Sequence, residues 1–293
     1  MEQDNQATVT SKAGDPDFVR YDARRLSYAG TFSDPSKVLI IRSIEWVTGK
    51  LPLLRHIRRF EKMGAPDGQP FFTQALDVMG ITVETSSEQV AKIPATGPVV
   101  VVANHPHGLV DGLVMAELIG KVRTDYKILT RSLLTGIQEI DPFMLPVPFP
   151  HEEDSHRKSI RMRNEAMDHL KSGGVIILFP AGAVATSDTW FGPVKEKLWN
   201  PFTAKMVLKS GAQVVPIYFP GRNTRLYQIA DKISATIRQG LLLHEIVHAL
   251  NKPQSPVIGD PLSPDQFGEW KSKPGGFMAW LRSHTLALGG RTD

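Results

Sequence analysis

Val99-Val100-Val101-Val102-Ala103-Asn104-His105-Pro106-His107-Gly108-Leu109-Val110-Asp111-Gly112 passes within fourteen residues from an unbroken apolar run into a polar turn holding two histidines and an aspartate. The run is too short for a helix and almost wholly β-branched, the pattern of a strand buried on both faces. Such a strand implies a parallel sheet, and polar residues just past its carboxyl end lie where open α/β sheets gather their sites. His105 can take a proton near neutral pH. Asp111 can hold one ring nitrogen and stabilise the imidazolium that forms, so the two make the base-and-orienter half of a catalytic triad. His107 is a rival base. The same residues also read as a plain strand-to-helix turn, with Asp111 in the first helical turn and Gly108 or Gly112 easing the backbone.

Outward from this stretch, strands alternate with helices. Residues 175–179 and 214–219 repeat the buried-strand pattern, Tyr126–Thr130 is a shorter strand, residues 81–85 alternate, and Val257–Ile258 is a weak strand. Helical spacing covers residues 71–79, 113–122, 156–171, 224–237, 241–250 and 276–288. The fold class is therefore α/β, a mostly parallel sheet covered by helices on both faces. Residues 1–34 are polar and read as a part-disordered tail without a secretory signal. Residues 35–80 form a helical extension, and residues 81–293 form the main domain. In the extension, Asp34-Pro35 starts a helix, Gly49 ends it, and Pro52 opens a second one.

Composition narrows the chemistry. The chain of 293 residues is 41% hydrophobic, enough for a sizeable core. The absence of cysteine excludes disulfides, thiolate metal sites and a cysteine nucleophile. The excess charge is local: Lys50, Arg55, Arg58, Arg59 and Lys62 stand against Glu61, a net +4 equal to that of the whole chain. A helix with Leu53, Leu54, Ile57 and Phe60 on one side and these cations elsewhere suits an anionic membrane surface; it also suits a surface helix with a solvated basic face. The patch lacks interleaved aromatics beyond Phe60, so no nucleic acid is expected.

Two further segments end buried strands in glycine turns, Phe179-Pro180-Ala181-Gly182 and Val215-Pro216-Ile217-Tyr218-Phe219-Pro220-Gly221-Arg222-Asn223. In order and wording, the three segments resemble the glycerolipid acyltransferase superfamily over roughly residues 80–262. The similarity is strongest to the bacterial hemolysin-named branch, which includes O-acyltransferases of ornithine and related amino-acid lipids and reads His-Pro-x-Gly-x-x-Asp, Phe-Pro-Ala-Gly and Gly-Arg-Asn. The resemblance implies His105 as base with Asp111 as partner. It implies Asn104, Gly108, Phe179, Pro180, Gly182, Arg222 and Asn223 around the substrate. It further implies an acyl thioester donor on acyl carrier protein or coenzyme A, a lysolipid acceptor, no metal or other cofactor, and peripheral attachment to the cytoplasmic face of the inner membrane.

The chain departs from the wider superfamily in three places. Five residues separate His105 from Asp111 where four are usual, Ala181 replaces a usual Glu, and no Arg closes the stretch 147–150. These absences favour a lyso-amino-acid lipid such as lyso-ornithine lipid over lysophosphatidic acid. A competing motif is His244-Glu245-Ile246-Val247-His248, which matches the His-Glu-x-x-His of zinc peptidases. Its further ligand would fall at Gln254, and nothing around Glu269 supports a substitute, so the peptidase is the remote reading.

Overall fold

The computed structural model describes residues 20–149, 152–270 and 272–291. In chain order it runs α1 (Pro35–Glu45), α2 (Leu51–Lys62), α3 (Pro70–Met79), α4 (Ser87–Val90), β1 (Val99–Ala103), α5 (Leu109–Gly120), β2 (Tyr126–Thr130), β3 (Met144–Pro146), α6 (Ser155–Lys171) and β4 (Val175–Leu178). A small hairpin of β5 (Thr186–Ser187) and β6 (Val194–Lys195) follows. The chain closes with α7 (Pro201–Ser210), β7 (Gln213–Tyr218), α8 (Arg225–Ile233), α9 (Ala235–Gly240), α10 (Leu242–Ala249), β8 (Val257–Ile258) and α11 (Pro274–Ala287).

The main sheet has the order β3-β2-β4-β1-β7-β8. Its pairs are parallel except β7 with β8. β1 lies between β4 and β7, with Val99 opposite both Val175 and Gln213. Every β1 residue is fully buried because successive side chains enter different cores. Val99, Val101 and Ala103 pack with Phe72, Val114 and Ile246 from α3, α5 and α10. Val100 and Val102 pack with Leu170, Val207 and Leu281 from α6, α7 and α11. This two-sided cover is why the strand lacks polar alternation, and each buried valine contributes about 1.5–3 kcal/mol. Among the described residues no helix is long and apolar enough to cross a membrane.

Several boundaries differ from the sequence reading. Residues 81–85 are not a strand; Val83 makes one isolated bridge to Gln254, because this segment meets a loop and not the sheet. β3 has three residues, one a proline, and carries too little pattern to be seen in advance. α5 starts at Leu109, four residues before the predicted start, because its first turn is organised by Asp111. The predicted helix 224–237 breaks at Ser234, which is extended (φ −163°) and whose hydroxyl accepts from Thr236 N.

The N-terminal part is built into the domain. The first nineteen residues lie outside the described residues, but residues 20–34 are tied to α1 and α2. Tyr21 N donates to Glu61 at 2.7 Å, and Ser27 Oγ and Tyr28 N both donate to the buried Glu45 at 2.6 Å. Leu53, Phe60, Phe71 and Phe72 belong to the same core as β1. α1 does not stop at Gly49; it runs through a π turn (Trp46–Lys50) straight into α2. Gly49 is there for contact, since a Cβ at this position would come within 2.6 Å of the Leu243 backbone on α10. A glycine inside a helix with open space around it gains about 1 kcal/mol of helix propensity on becoming alanine. A glycine under a neighbouring backbone loses about 1–3 kcal/mol on the same change. Gly49→Ala is therefore expected to lower the melting temperature, and a raised one in a thermal melt would contradict this packing.

Candidate active site

The residues after β1 are fixed one by one. The Asn104 side chain clips β1 to the end of β7: its Nδ2 donates to Phe219 O at 2.8 Å, and its Oδ1 accepts from Phe219 N at 2.7 Å. His105 follows, its N–H donating to Glu196 Oε2 at 3.1 Å and its carbonyl accepting from Ala185 N at 2.9 Å. Its ring stacks on Phe179 with centroids 4.0 Å apart. The backbone and one face of the imidazole are thus held by elements after β4.

Asp111 gathers the rest. It is fully buried on α5. Its Oδ2 lies 3.0 Å from His105 Nδ1 and accepts from His107 N at 2.8 Å and Gly108 N at 3.1 Å. Its Oδ1 lies 3.1 Å from His107 Nδ1. Burial opposes its charge, but the hydrogen bonds from the two histidines outweigh this and lower its pKa from 3.8 to about 2. An ionised Asp111 accepts from Nδ1–H on both rings, which leaves Nε2 of neutral His105 free to take a proton.

The two histidines differ in what they face. His105 lines a cleft of about 750 Å³, a size suited to an organic ligand. His107 is not part of that wall. Its Nε2 faces Gly221, where a Cβ would come within 2.6 Å. Burial lowers the His107 pKa, yet the bond to Asp111, its charge and that of Glu245 raise it on balance.

Gly108, Phe179, Pro180 and Gly182 share the cleft with His105, while Asp111 sits behind it. Arg222 and Asn223 do not join them. Arg222 is exposed and lines a separate pocket with Lys195, Tyr218 and Arg291, and Asn223 is buried. Three residues escaped the sequence reading. Arg131 directly follows β2, so the rim rule that found His105 could have found it too. Arg163 enters the cleft from α6, its guanidinium 4.5 Å from the Phe202 ring centroid. Glu196 is buried and arrives through the hairpin; burial raises its pKa although His105 N and Trp199 Nε1 donate to it. No acid lines the cleft among the described residues, whereas Arg131, His156, Arg163 and Arg238 do.

The remaining motifs are used differently. His244 Nδ1 lies 3.4 Å from the Thr48 carbonyl, four residues before Pro52, which has no N–H to offer it. Glu245 accepts from Thr224 N and Oγ1 at 2.7 and 2.6 Å, and His248 Nε2 lies 3.1 Å from Lys252 Nζ. Three separate partners therefore engage the His-Glu-x-x-His segment, and among the described residues no three acidic or histidine side chains are grouped to hold a metal. The basic patch is smaller than its formal count: Lys50 is buried beside Glu45, and Arg58 pairs with Glu61 at 2.7 Å.

Residues 58–253 match the acyltransferase family profile. The chain is 24% identical over 212 residues to a lyso-glycine lipid O-acyltransferase of Phocaeicola vulgatus, covering 70% of this chain and 73% of that protein. It is 23% identical over 212 residues to the protein of that name in Bacteroides thetaiotaomicron, covering 70% and 75%. Among solved structures it is similar to the 1-acyl-sn-glycerophosphate acyltransferase PlsC of Thermotoga maritima, with a TM-score of 0.49 and 16% identity over 90% of this chain and 87% of that one.

The Asp111 cluster has opposite signatures at the two ends of the pH scale. The lowered Asp111 pKa stabilises the fold above the unfolded value of 3.8, and this is lost as pH falls towards about 2. The raised His107 pKa stabilises the fold below the unfolded value of 6.5, and this is lost as pH rises through the folded value. Melting curves against pH are expected to show both limbs; in His107→Gln the upper one should vanish and the acid one persist in weakened form through His105.

Proposed function

The chain belongs to the acyltransferase family, and on that premise we propose that it moves a fatty acyl chain from a thioester to the hydroxyl of a lyso-amino-acid lipid. The observation that carries this reading is His105, oriented by Asp111 through Nδ1 and lining the cleft. The acceptor oxygen attacks the thioester carbonyl while His105 Nε2 takes its proton. The new C–O bond forms a tetrahedral oxyanion, which collapses with loss of the C–S bond, and His105 returns the proton to the departing thiolate. Gly182 N–H already donates to Phe179 O at 3.0 Å and Gly108 N–H to Asp111, so the oxyanion falls to other donors. The N–H of Leu109, in the first turn of α5, lacks an intrahelical partner, and Leu109 lines the cleft.

The acceptor class is supported by the lyso-glycine lipids named for the two bacterial relatives. Arg131 and Arg163 in the cleft suit a head-group carboxylate. They suit a phosphate as well, so the Arg missing from the stretch 147–150 weighs less against lysophosphatidic acid, which stays the second reading. Lyso-ornithine lipid belongs to the same acceptor class. The donor is an acyl thioester of acyl carrier protein or of coenzyme A. Attachment is peripheral, at the cytoplasmic face of the inner membrane. It is supported by Leu39, Trp46, Val47 and Leu51, exposed along α1, the π turn and the start of α2, with Arg55, Arg59 and Lys62 exposed on α2.

Purified protein offered acyl carrier protein and coenzyme A thioesters, with lyso-glycine lipid, lyso-ornithine lipid and lysophosphatidic acid as acceptors, tests this directly. An amino-acid lipid is expected to be the better acceptor, with turnover in His105→Ala down about a thousandfold and the fold intact. Arg131→Ala with Arg163→Ala should raise the acceptor KM about tenfold. Near-native activity of His105→Ala would remove the proposed mechanism, and product from lysophosphatidic acid alone would keep it and replace the acceptor.

A further inference from the structure

Trp190 and Phe191 stand at the tip of the β5–β6 hairpin, 50% and 79% exposed. Two adjacent exposed aromatics are unusual on a free surface. They are firmly presented. Ser187 N donates to Gln228 Oε1 at 2.8 Å, Arg225 Nη1 to Gly192 O at 2.8 Å and Arg291 Nη2 to Val194 O at 2.6 Å. Behind the tip lies the pocket of Lys195, Arg222 and Arg291, with no acid among its described lining residues. Lys195 meets Asp188 at 3.4 Å in a solvent-exposed pair.

We propose that this hairpin is a second membrane contact, with Trp190 and Phe191 entering the interface of an anionic bilayer while Lys195 and Arg222 hold lipid phosphate. Exposed aromatics at a tip with cations behind them match the layered polarity of such an interface. Position supports the same occupant. The hairpin packs on α8, α8 on α9 and α9 on α1. Leu226 and Ile233 are also exposed on α8, the helix that links the hairpin to α9. Val184, Tyr227 and Arg238 from this chain of neighbours line the cleft, so a bilayer met here would lie at its mouth. The inference rests on the reading of the acceptor as a membrane lipid, but it is measured without turnover.

The test is co-sedimentation of the full chain with vesicles of phosphatidylcholine alone and of phosphatidylcholine with phosphatidylglycerol. Trp190→Ser with Phe191→Ser is expected to lower partitioning about tenfold on the mixed vesicles. Lys195→Glu should lower it only where phosphatidylglycerol is present, and the conservative Phe191→Trp should keep wild-type binding. If the double variant does not melt cooperatively, Phe191→Glu at the exposed tip takes its place. Unchanged partitioning of the serine or glutamate variants overturns the proposal. Lys195→Glu binding vesicles normally while losing affinity for acyl carrier protein also overturns it, in favour of an acidic protein. Loss of vesicle binding with acyl transfer to a short-chain acceptor intact in the serine variant supports it, whereas failure of acyl transfer by the unmodified chain would touch only the functional reading.

Discussion

The buried carboxylate of Asp111 organises the carboxyl edge of the sheet. An isolated charge at such depth would be strongly disfavoured. Here it accepts from two imidazoles and two backbone N–H groups, enough for the charged form to prevail. The same four contacts set the first turn of α5, the path from β1 into it and the tautomer of His105. Local structure and the orientation of His105 therefore depend on one ionised group, and the turn cannot be altered without disturbing that ring.

Two histidines share that carboxylate, and their surroundings divide the work. His105 is stacked on Phe179 and opens onto the cleft, whereas His107 is closed in by Gly221. The second ring fills the site that would otherwise leave Asp111 Oδ1 short of a donor. Glu196 braces the arrangement from the other side through the His105 N–H, and Asn104 joins the ends of β1 and β7. The cleft beyond is cationic, in keeping with an acceptor that carries a carboxylate or a phosphate.

Much of this was legible in the sequence where local pattern and tertiary role coincide. The β-branched runs of β1, β4 and β7 announce a sheet covered on both faces, and glycine turns mark its working edge. The reading failed where one residue serves a distant partner. Gly49 looks like a helix stop but accommodates the α10 backbone, and Lys50 looks like a surface cation but is buried beside Glu45. His244, Glu245 and His248 share a helix at metal-binding spacing, yet each meets a different neighbour. Arg163 and Glu196 reach the site through helix rotation and a hairpin return, for which sequence spacing carries no sign.

On the proposed mechanism Asp111 acts through His105 and does not merely hold the turn. The most direct test of this is acyl-transfer kinetics of Asp111→Asn in protein that still melts cooperatively. The amide can keep accepting from the backbone but cannot stabilise an imidazolium by charge. A fall in kcat on the order of 10²–10⁴ is expected, with KM for donor and acceptor little changed. An Asp111→Asn protein with near-native kcat would contradict it and reduce the cluster to a structural cap.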